Sequence, residues 1–212
     1  MKNTEVLRGV ENIKVVIFDF DDTLYRGNCG SGWAEHVKKF MIYCFNDEER
    51  ANRVFNKYRI TDQSNGSEVA QAMINELGSA KKFVRYEAKN IYIIDDSKIK
   101  HITSEELARV ANKLHLYIVS NSTIKYVKYH MKKMGINRKY FKKIYQNNFL
   151  KSDMSKAVAY KKILKKEKVK PTQIVVIGDN YHNDIQPALD LGMQGVCVGG
   201  LEDVRTVLGN LI

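Results

Sequence analysis

Cysteine and proline are both scarce in this chain of 212 residues, and each scarcity excludes a class of protein. The three cysteines, Cys29, Cys44 and Cys197, are widely spaced and odd in number, so they form neither a disulfide framework nor a paired zinc motif. The chain has two prolines, Pro171 and Pro187, and no low-complexity linker or internal repeat. The cysteine pattern favours a reduced, cytoplasmic protein. Hydrophobic residues make up 44% of the chain and aromatic residues 10%, which is enough for a packed core.

Long apolar segments are also lacking. No apolar run approaches the roughly 20 residues that a transmembrane helix needs, so no membrane partner is expected. The N-terminal segment "MKNTEVLRGVENIK" has no apolar h-region, and no secretory signal is predicted. The sequence contains no Cys/His finger and no basic strand interleaved with aromatic residues, which are typical of nucleic-acid recognition.

Positive charge, by contrast, is abundant, and the formal net charge is +11. A basic chain can bind nucleic acid, an anionic membrane surface or small anionic molecules. The lysines are spread along helical segments such as "YKKILKKEKVK" and do not form a polybasic tail. This spread favours solvated helix faces and disfavours a nucleic-acid partner, although the charge leaves that partner open.

Short apolar segments alternate with amphipathic helical patterns along much of the chain. Four segments are rich in β-forming residues, at 13–18, 116–120, 173–178 and 195–199. A fifth segment, at 142–146, shows the same pattern more weakly. Between them, segments such as "TIKYVKYHMKKMG" and "SKAVAYKKILKKEK" carry apolar residues at helical spacing. This alternation predicts an α/β fold, with a doubly wound, mostly parallel sheet.

One long interval, residues 26–111, breaks the alternation. It is too long for a single crossover helix and consists mainly of helical patterns such as "WAEHVKKFMIYCF" and "SEVAQAMINELG". The segment "NIYIID" is the one part of it that suggests a strand. We predict a mainly helical cap domain at residues 26–111, inserted into a core domain formed by residues 1–25 and 112–212.

Polar residues follow three of the predicted strands at the point where each strand ends. Asp19 follows the first strand, Ser120 ends the second, and Asp179 follows the strand at 173–178. In open α/β sheets ligands bind beyond the carboxyl ends of the strands, so these residues are expected to form one site. Crowded carboxylates beside a buried strand are unfavourable unless a cation compensates them. A hard cation such as Mg²⁺ prefers oxygen ligands of this kind.

Three motifs in this order carry a resemblance to a known family. The segment "DFDDTL" resembles the first motif of the haloacid dehalogenase-like superfamily, DxDx(T/V)(L/V). The segment "YIVSNS" resembles its second motif, a strand that ends in Ser or Thr, and "GDNYHND" resembles its fourth, GDxxxxD. The resemblance covers essentially the whole chain. It implies a Rossmann-like core with a helical cap inserted after the first motif.

The resemblance also implies a role for each motif residue. Asp19 would be the nucleophile that forms an aspartyl-phosphate. Asp21 would be the general acid and then the general base, and its backbone carbonyl would bind the metal. The Ser120 side chain and the Asn121 backbone N–H would hold the phosphoryl oxygens.

The implied metal site holds Mg²⁺ with Asp19 and Asp21, together with Asp179 and Asp184 from the fourth motif, directly or through water. A lysine is expected to neutralise the phosphate, and the candidates are Lys151 and Lys156. The family often places this lysine before a proline, and no proline follows either candidate. Lys156 follows Ser155, a residue type that begins helices, so it is predicted in the first helical turn near the sheet edge. This favours Lys156 and leaves Lys151 open.

The resemblance implies a phosphatase that acts on a small phosphorylated metabolite, such as a nucleoside monophosphate or a sugar phosphate. The dehalogenase branch of the family lacks the second aspartate of the first motif, at the position of Asp21. The phosphonate-cleaving branch also departs from the motif at that position. The phosphosugar mutase branch retains both aspartates, so it stays open, as does a phosphatase that acts on nucleic-acid ends. Cap residues line the entrance in this subgroup, which makes Tyr25, Arg26 and Trp33 candidates for substrate contact. A monomer or small homo-oligomer is expected.

Overall fold

Four consecutive apolar residues, Val15 to Phe18, form the first strand, and all four are buried. The computed structural model describes residues 10–26, 33–61, 66–79, 81–90, 99–147 and 155–212 of the protein. Successive side chains of a strand point to opposite faces. Val15 and Ile17 therefore pack in one apolar cluster, and Val16 and Phe18 pack in another. A strand buried on both faces belongs in the middle of a sheet that helices cover on both sides.

The sheet has this first strand at its centre. The described strands are β1 (Val15–Phe18), β2 (Tyr25–Arg26), β3 (Lys100–His101), β4 (His115–Ser120), β5 (Phe141–Gln146), β6 (Ile174–Gly178) and β7 (Gln194–Cys197). Five of them pair in parallel in the order β5-β4-β1-β6-β7. The predicted α/β fold with a parallel sheet is confirmed. All five predicted segments are strands, with ends shifted by one or two residues.

Helices cover both faces of the sheet. The described α-helices are α1 (Trp33–Phe45), α2 (Glu48–Lys57), α3 (Gly66–Leu77), α4 (Lys81–Lys89), α5 (Ser104–Ala111), α6 (Ile124–Lys133), α7 (Ala157–Glu167), α8 (Gln186–Leu189) and α9 (Leu201–Asn210). Apolar residues of α5, α6 and α9 pack against one face of the sheet, and those of α7 and α8 pack against the other. Helices α4 and α9 were not predicted, although α9 buries Leu201, Val204 and Leu208 at helical spacing.

Local hydrogen bonds begin the two helices that follow β4 and β5. The Thr123 hydroxyl accepts a hydrogen bond from the Tyr126 backbone N–H at 3.2 Å, so α6 begins immediately beyond the end of β4. The Ser155 hydroxyl accepts one from the Ala157 N–H at 3.2 Å, at the start of α7. Both helices therefore begin at the sheet edge where the parallel strands end.

The helices α1 to α4 form an apolar cluster of their own. This cluster is separate from the two at the sheet, and its buried members include Val37, Phe40, Met41, Val54, Met73 and Phe83. The short strands β2 and β3 stand on either side of these helices in the sequence and pair antiparallel. Helix α5 packs instead with the sheet, through Leu107 and Val110. The cap boundaries at 26 and 111 stay a prediction, and "NIYIID" lies outside the described residues.

Within the described ranges, every α-helix is too short or too polar to cross a membrane.

Candidate active site

The carboxyl ends of β1, β4 and β6 meet at one edge of the sheet. Phe18, the last residue of β1, lies beside Ile118 of β4 and Ile177 of β6. The Asp19 backbone N–H donates a hydrogen bond to the Ile177 carbonyl at 2.9 Å and so extends this ladder by one step. Parallel pairing therefore brings the ends of three distant segments together, as expected from the strand order.

Three carboxylates converge at this edge. One carboxylate oxygen from each of Asp19, Asp179 and Asp184 lies within 4.8 Å of the other two. Asp19 and Asp184 are buried. Burial raises the pKa of Asp19 well above its ordinary value, and the neighbouring carboxylates raise it further, whereas Lys156 lowers it. Burial and the charge of Asp184 raise the pKa of Asp179 to about 6.

A buried lysine lies among these carboxylates. The Lys156 Nζ is 2.5 Å from Oδ1 of Asp19 and 2.5 Å from Oδ1 of Asp184, and its side chain is 2% exposed. Burial alone would lower the pKa of Lys156, but the two carboxylates outweigh it and raise that pKa. The ammonium is therefore charged and partly offsets the negative charge at the strand ends. Lys156 was predicted in the first turn of α7, but it lies at the position directly before the helix. Lys151 lies outside the described residues.

A short π-helix returns Asp184 to the end of β6. It spans Tyr181–Ile185, and the Asp184 Oδ2 accepts a hydrogen bond from the Asn180 N–H at 3.1 Å. The buried Tyr160 hydroxyl donates to the Asp184 carbonyl at 3.1 Å. A Cβ atom on Gly178 would lie 2.4 Å from Asp184 Oδ2, so glycine is required here by close approach. The glycine of the segment "GDNYHND" thus makes room for its last aspartate.

Asp21 has different partners from Asp19. Its Oδ1 accepts a hydrogen bond from the Tyr25 hydroxyl at 2.5 Å, and its Oδ2 accepts one from the Ser122 hydroxyl at 2.6 Å. The Ser120 hydroxyl lies 3.4 Å from the same Oδ2. The carboxylate of Asp21 does not belong to the three-carboxylate group described above. Its predicted contribution to metal binding was through the backbone carbonyl, and that stays a prediction.

The residues predicted to hold phosphate lie beside Asp21. Ser120 is buried, and its hydroxyl accepts a hydrogen bond from the Ser122 backbone N–H at 2.9 Å. The Asn121 side-chain oxygen accepts one from the Asn147 amide at 3.0 Å, which orients the loop after β4. The strand ends therefore place the predicted nucleophile, acid and phosphate-binding residues at one edge.

The three-carboxylate group fits a hard divalent cation. Its donors are all carboxylate oxygens, which Mg²⁺ prefers, and their mutual repulsion favours a bound positive charge. The buried Oδ1 of Asp184 is paired with the Lys156 ammonium at 2.5 Å, and a carboxylate oxygen has a second lone pair that can bind a metal. Asp19, Asp179 and Asp184 are thus the residues that would hold the ion.

Comparison with known families agrees with this geometry. The model of the haloacid dehalogenase-like hydrolases matches residues 13–192, which include all three motif segments. The chain belongs to this hydrolase family. No curated protein matches the sequence significantly.

Solved structures of other haloacid dehalogenase-like proteins share the fold. A phosphatase of this family from Thermococcus onnurineus aligns with a TM-score of 0.58 and 16% identity, over 93% of this chain and 99% of that one. A family hydrolase from Xanthomonas campestris aligns with a TM-score of 0.57 and 16% identity, over 94% of this chain and 92% of that one. A protein from Haemophilus somnus 129pt is described as a predicted phosphoglycolate phosphatase. It aligns with a TM-score of 0.54 and 18% identity, over 89% of this chain and 86% of that one. At these identities the likeness shows the fold alone.

Several polar residues of this hydrolase site were not found by sequence reasoning. Ser122 stands in the segment "YIVSNS", but only its contact with Asp21 distinguishes it from a turn serine. Tyr160 and Asn147 carried no motif signal. Tyr25 was predicted to contact substrate, but it is 1% exposed and hydrogen-bonds to Asp21. Arg26 is exposed, and the Trp33 side chain lies outside what the structure describes.

Replacing Gly178 by alanine is expected to displace Asp184. The added Cβ overlaps the Asp184 carboxylate, so the end of β6 or the π-helix must shift. We expect the free energy of unfolding to fall by about 1–3 kcal/mol and the affinity for Mg²⁺ to fall by about tenfold or more. Urea unfolding and calorimetric titration of the metal-free protein measure the two effects.

The matched control is Gly209→Ala in α9. A Cβ at Gly209 meets no atom within 4 Å, so helix propensity alone acts there. We expect this control to leave the Mg²⁺ affinity unchanged and to stabilise the protein by at most about 1 kcal/mol. Equal Mg²⁺ affinities for the two variants would contradict the prediction that close approach of Gly178 and Asp184 is needed for metal binding.

Proposed function

We propose that this hydrolase is a Mg²⁺-dependent phosphatase that acts on a small phosphorylated metabolite, through an aspartyl-phosphate on Asp19. The observation that carries the proposal is the Lys156 ammonium held 2.5 Å from both Asp19 and Asp184. A carboxylate that attacks a phosphate dianion needs its repulsion cancelled at the point of attack. Lys156 places a fixed positive charge at that point.

In the first half-reaction Asp19 is the nucleophile. A carboxylate oxygen of Asp19 attacks phosphorus, and the bond from phosphorus to the leaving oxygen breaks. Asp21, in its protonated form, gives its proton to that oxygen, so that an alcohol leaves. The Ser120 hydroxyl and the Asn121 backbone N–H hold the phosphoryl oxygens. When bound by Asp19, Asp179 and Asp184, Mg²⁺ supplies charge stabilisation for the phosphoryl group.

In the second half-reaction Asp21 reverses its role. Its carboxylate accepts a proton from water, and the water oxygen attacks the phosphorus of the aspartyl-phosphate. Asp19 leaves as a carboxylate, inorganic phosphate is released, and Asp21 is left protonated for the next cycle. Asp21 suits this exchange because it has different hydrogen-bond partners from Asp19 and lies beside Ser120.

The proposed substrate class is a nucleoside monophosphate or a sugar phosphate. Helices α1 to α4 lie between β2 and β3, immediately after the Asp19 segment in the chain. A helical cap over the strand ends favours small substrates, because closure must exclude water and bulky chains. The solved Thermococcus onnurineus relative is itself called a phosphatase, which is consistent with this reading.

The test is phosphate release from a panel of nucleotides, sugar phosphates and small phosphorylated acids. Each is assayed with Mg²⁺ and with EDTA. We expect release from at least one member and a loss of about a hundredfold or more on metal removal. If Mg²⁺ binds by calorimetry and no member releases phosphate, the metabolite phosphatase is contradicted. Isomerisation of a sugar phosphate without net phosphate release would indicate a mutase instead.

A further inference from the structure

The side chains that hold Asp21 are not part of the chemistry proposed above. Tyr25 and Ser122 each donate a hydroxyl hydrogen bond to a different oxygen of the Asp21 carboxylate, at 2.5 and 2.6 Å. These are short for O–H donors and fall in the range of charge-assisted bonds. Together they fix both the position and the rotation of the carboxylate group.

Tyr25 is also bonded to a second phenol. Its hydroxyl oxygen lies 2.8 Å from that of Tyr126 on α6. A phenol has one proton, and the proton of Tyr25 goes to Asp21. Tyr126 must therefore be the donor of the second bond, so the chain of donors runs from Tyr126 to Tyr25 to Asp21. Chains of this kind polarise and strengthen each member.

Packing holds the Tyr25 ring in place. The residue is buried, and its ring centroid lies 5.0 Å from that of Phe20 and 6.1 Å from that of His130. Its backbone belongs to β2, which pairs with β3 through His101. The hydroxyl that reaches Asp21 is thus carried by a side chain with little freedom to move. A donor on a rigid element is what precise placement of a catalytic group requires.

We propose that Tyr25 is a positioning residue that aligns Asp21 for proton transfer to the leaving group. The inference rests on the proposed phosphatase function. Oδ1 can accept the Tyr25 hydrogen bond whether Asp21 is a carboxylate or a carboxylic acid, because the carbonyl oxygen of the acid is still an acceptor. Oδ2, beside Ser120 and Ser122, is then the oxygen that carries the proton. The Ser122 hydroxyl can turn to donate or accept as that proton comes and goes.

The test compares two leaving groups in the variant Tyr25→Phe, which keeps the ring and removes the hydroxyl. p-Nitrophenolate leaves without a proton, whereas the alkoxide of an alkyl phosphate needs one. We expect kcat/KM to fall about 10- to 100-fold for the best alkyl phosphate of the panel, and about threefold or less for p-nitrophenyl phosphate. kcat/KM reports the steps up to the first irreversible one, so it isolates the acid step from the later hydrolysis.

The matched control is Tyr117→Phe. Tyr117 is a buried tyrosine whose hydroxyl also donates to a carboxylate, that of Glu167. Glu167 is the last residue of α7, about 16 Å along the helix axis from its start near the site. We expect this variant to lose stability as Tyr25→Phe does, with the ratio of alkyl to aryl rates unchanged.

The outcomes separate the inference from the proposed function. If the wild type hydrolyses neither compound with Mg²⁺ bound, the phosphatase proposal fails and this inference fails with it. If the wild type is active and Tyr25→Phe slows both substrates equally, only the positioning role is overturned. If that variant does not fold, Tyr126→Phe is measured instead, and the same preference for the aryl substrate, about two- to fivefold, is expected. An unchanged ratio in Tyr126→Phe would then overturn the proposal.

Discussion

Replacing Asp19 by asparagine is expected to reduce phosphate release by about a thousandfold or more, for every substrate that the wild type hydrolyses. The amide is nearly the same size as the carboxylate, but it is a poor nucleophile and cannot form the acyl phosphate. Asp19 lies beside Lys156 at the end of β1, so the loss is specific to the atom that attacks phosphorus. A colorimetric phosphate assay with Mg²⁺ measures it.

The same variant is expected to lose activity without losing stability. The wild type crowds the carboxylates of Asp19, Asp179 and Asp184 together, and the asparagine removes one of the three charges. Lys156 still has Asp184 at 2.5 Å, so no buried charge is left alone. The melting temperature of the metal-free variant should therefore equal or exceed that of the metal-free wild type.

Residual activity above about one per cent of the wild type would indicate that Asp19 is not the nucleophile.

Replacing Lys156 by methionine is expected to have the largest combined effect on stability and activity. Methionine is unbranched and similar in length, so it fills the space without the charge. The variant leaves Asp19 and Asp184 buried with no positive partner at 2.5 Å. Removal of one partner of a buried ion pair destabilises a protein by about 3–5 kcal/mol. We expect a loss of that size in urea unfolding at neutral pH, and a fall in turnover of about a hundredfold or more.

Two further lysine variants make this experiment specific. Lys162→Met removes an exposed lysine on the same helix, and we expect a change within about 0.5 kcal/mol. Lys151→Met tests the other lysine that the sequence offered. Added Mg²⁺ should recover part of the stability lost in Lys156→Met, since the ion binds the folded state. A large activity loss in Lys151→Met with little loss in Lys156→Met would reverse the assignment.

Much of the fold could be predicted because its signals are local. The segment 15–18 is apolar throughout, which is typical of a strand buried on both faces, and the structure places it at the centre of the sheet. The carboxyl ends of parallel strands meet at one edge, so Asp19, Ser120 and Asp179 were expected to lie together once the strands were known. The segment 201–210 also has a local helical pattern, with apolar residues at 201, 204 and 208, although α9 was not predicted.

Other features could not be predicted, because they depend on contacts between distant parts of the chain. Helix α5 was assigned to the cap by its position in the sequence, but Leu107 and Val110 pack with the sheet. The length of the interval gives no information about which cluster an amphipathic helix joins. Tyr25 was a candidate for substrate contact because cap residues line the entrance in this subgroup, yet it is buried against Asp21.

The sequence by itself determined the fold class and the carboxylates of the site, since strand patterns and motif spacing are properties of short segments. Only the tertiary structure decided the partners of those carboxylates. Lys156 reaches Asp19 across 137 positions of the chain, and Ser122 reaches Asp21 across 101. Such pairs are set by how the sheet and helices pack, and a short hydrogen bond requires side chains placed to within a fraction of an ångström. Local sequence patterns do not specify distances of that precision.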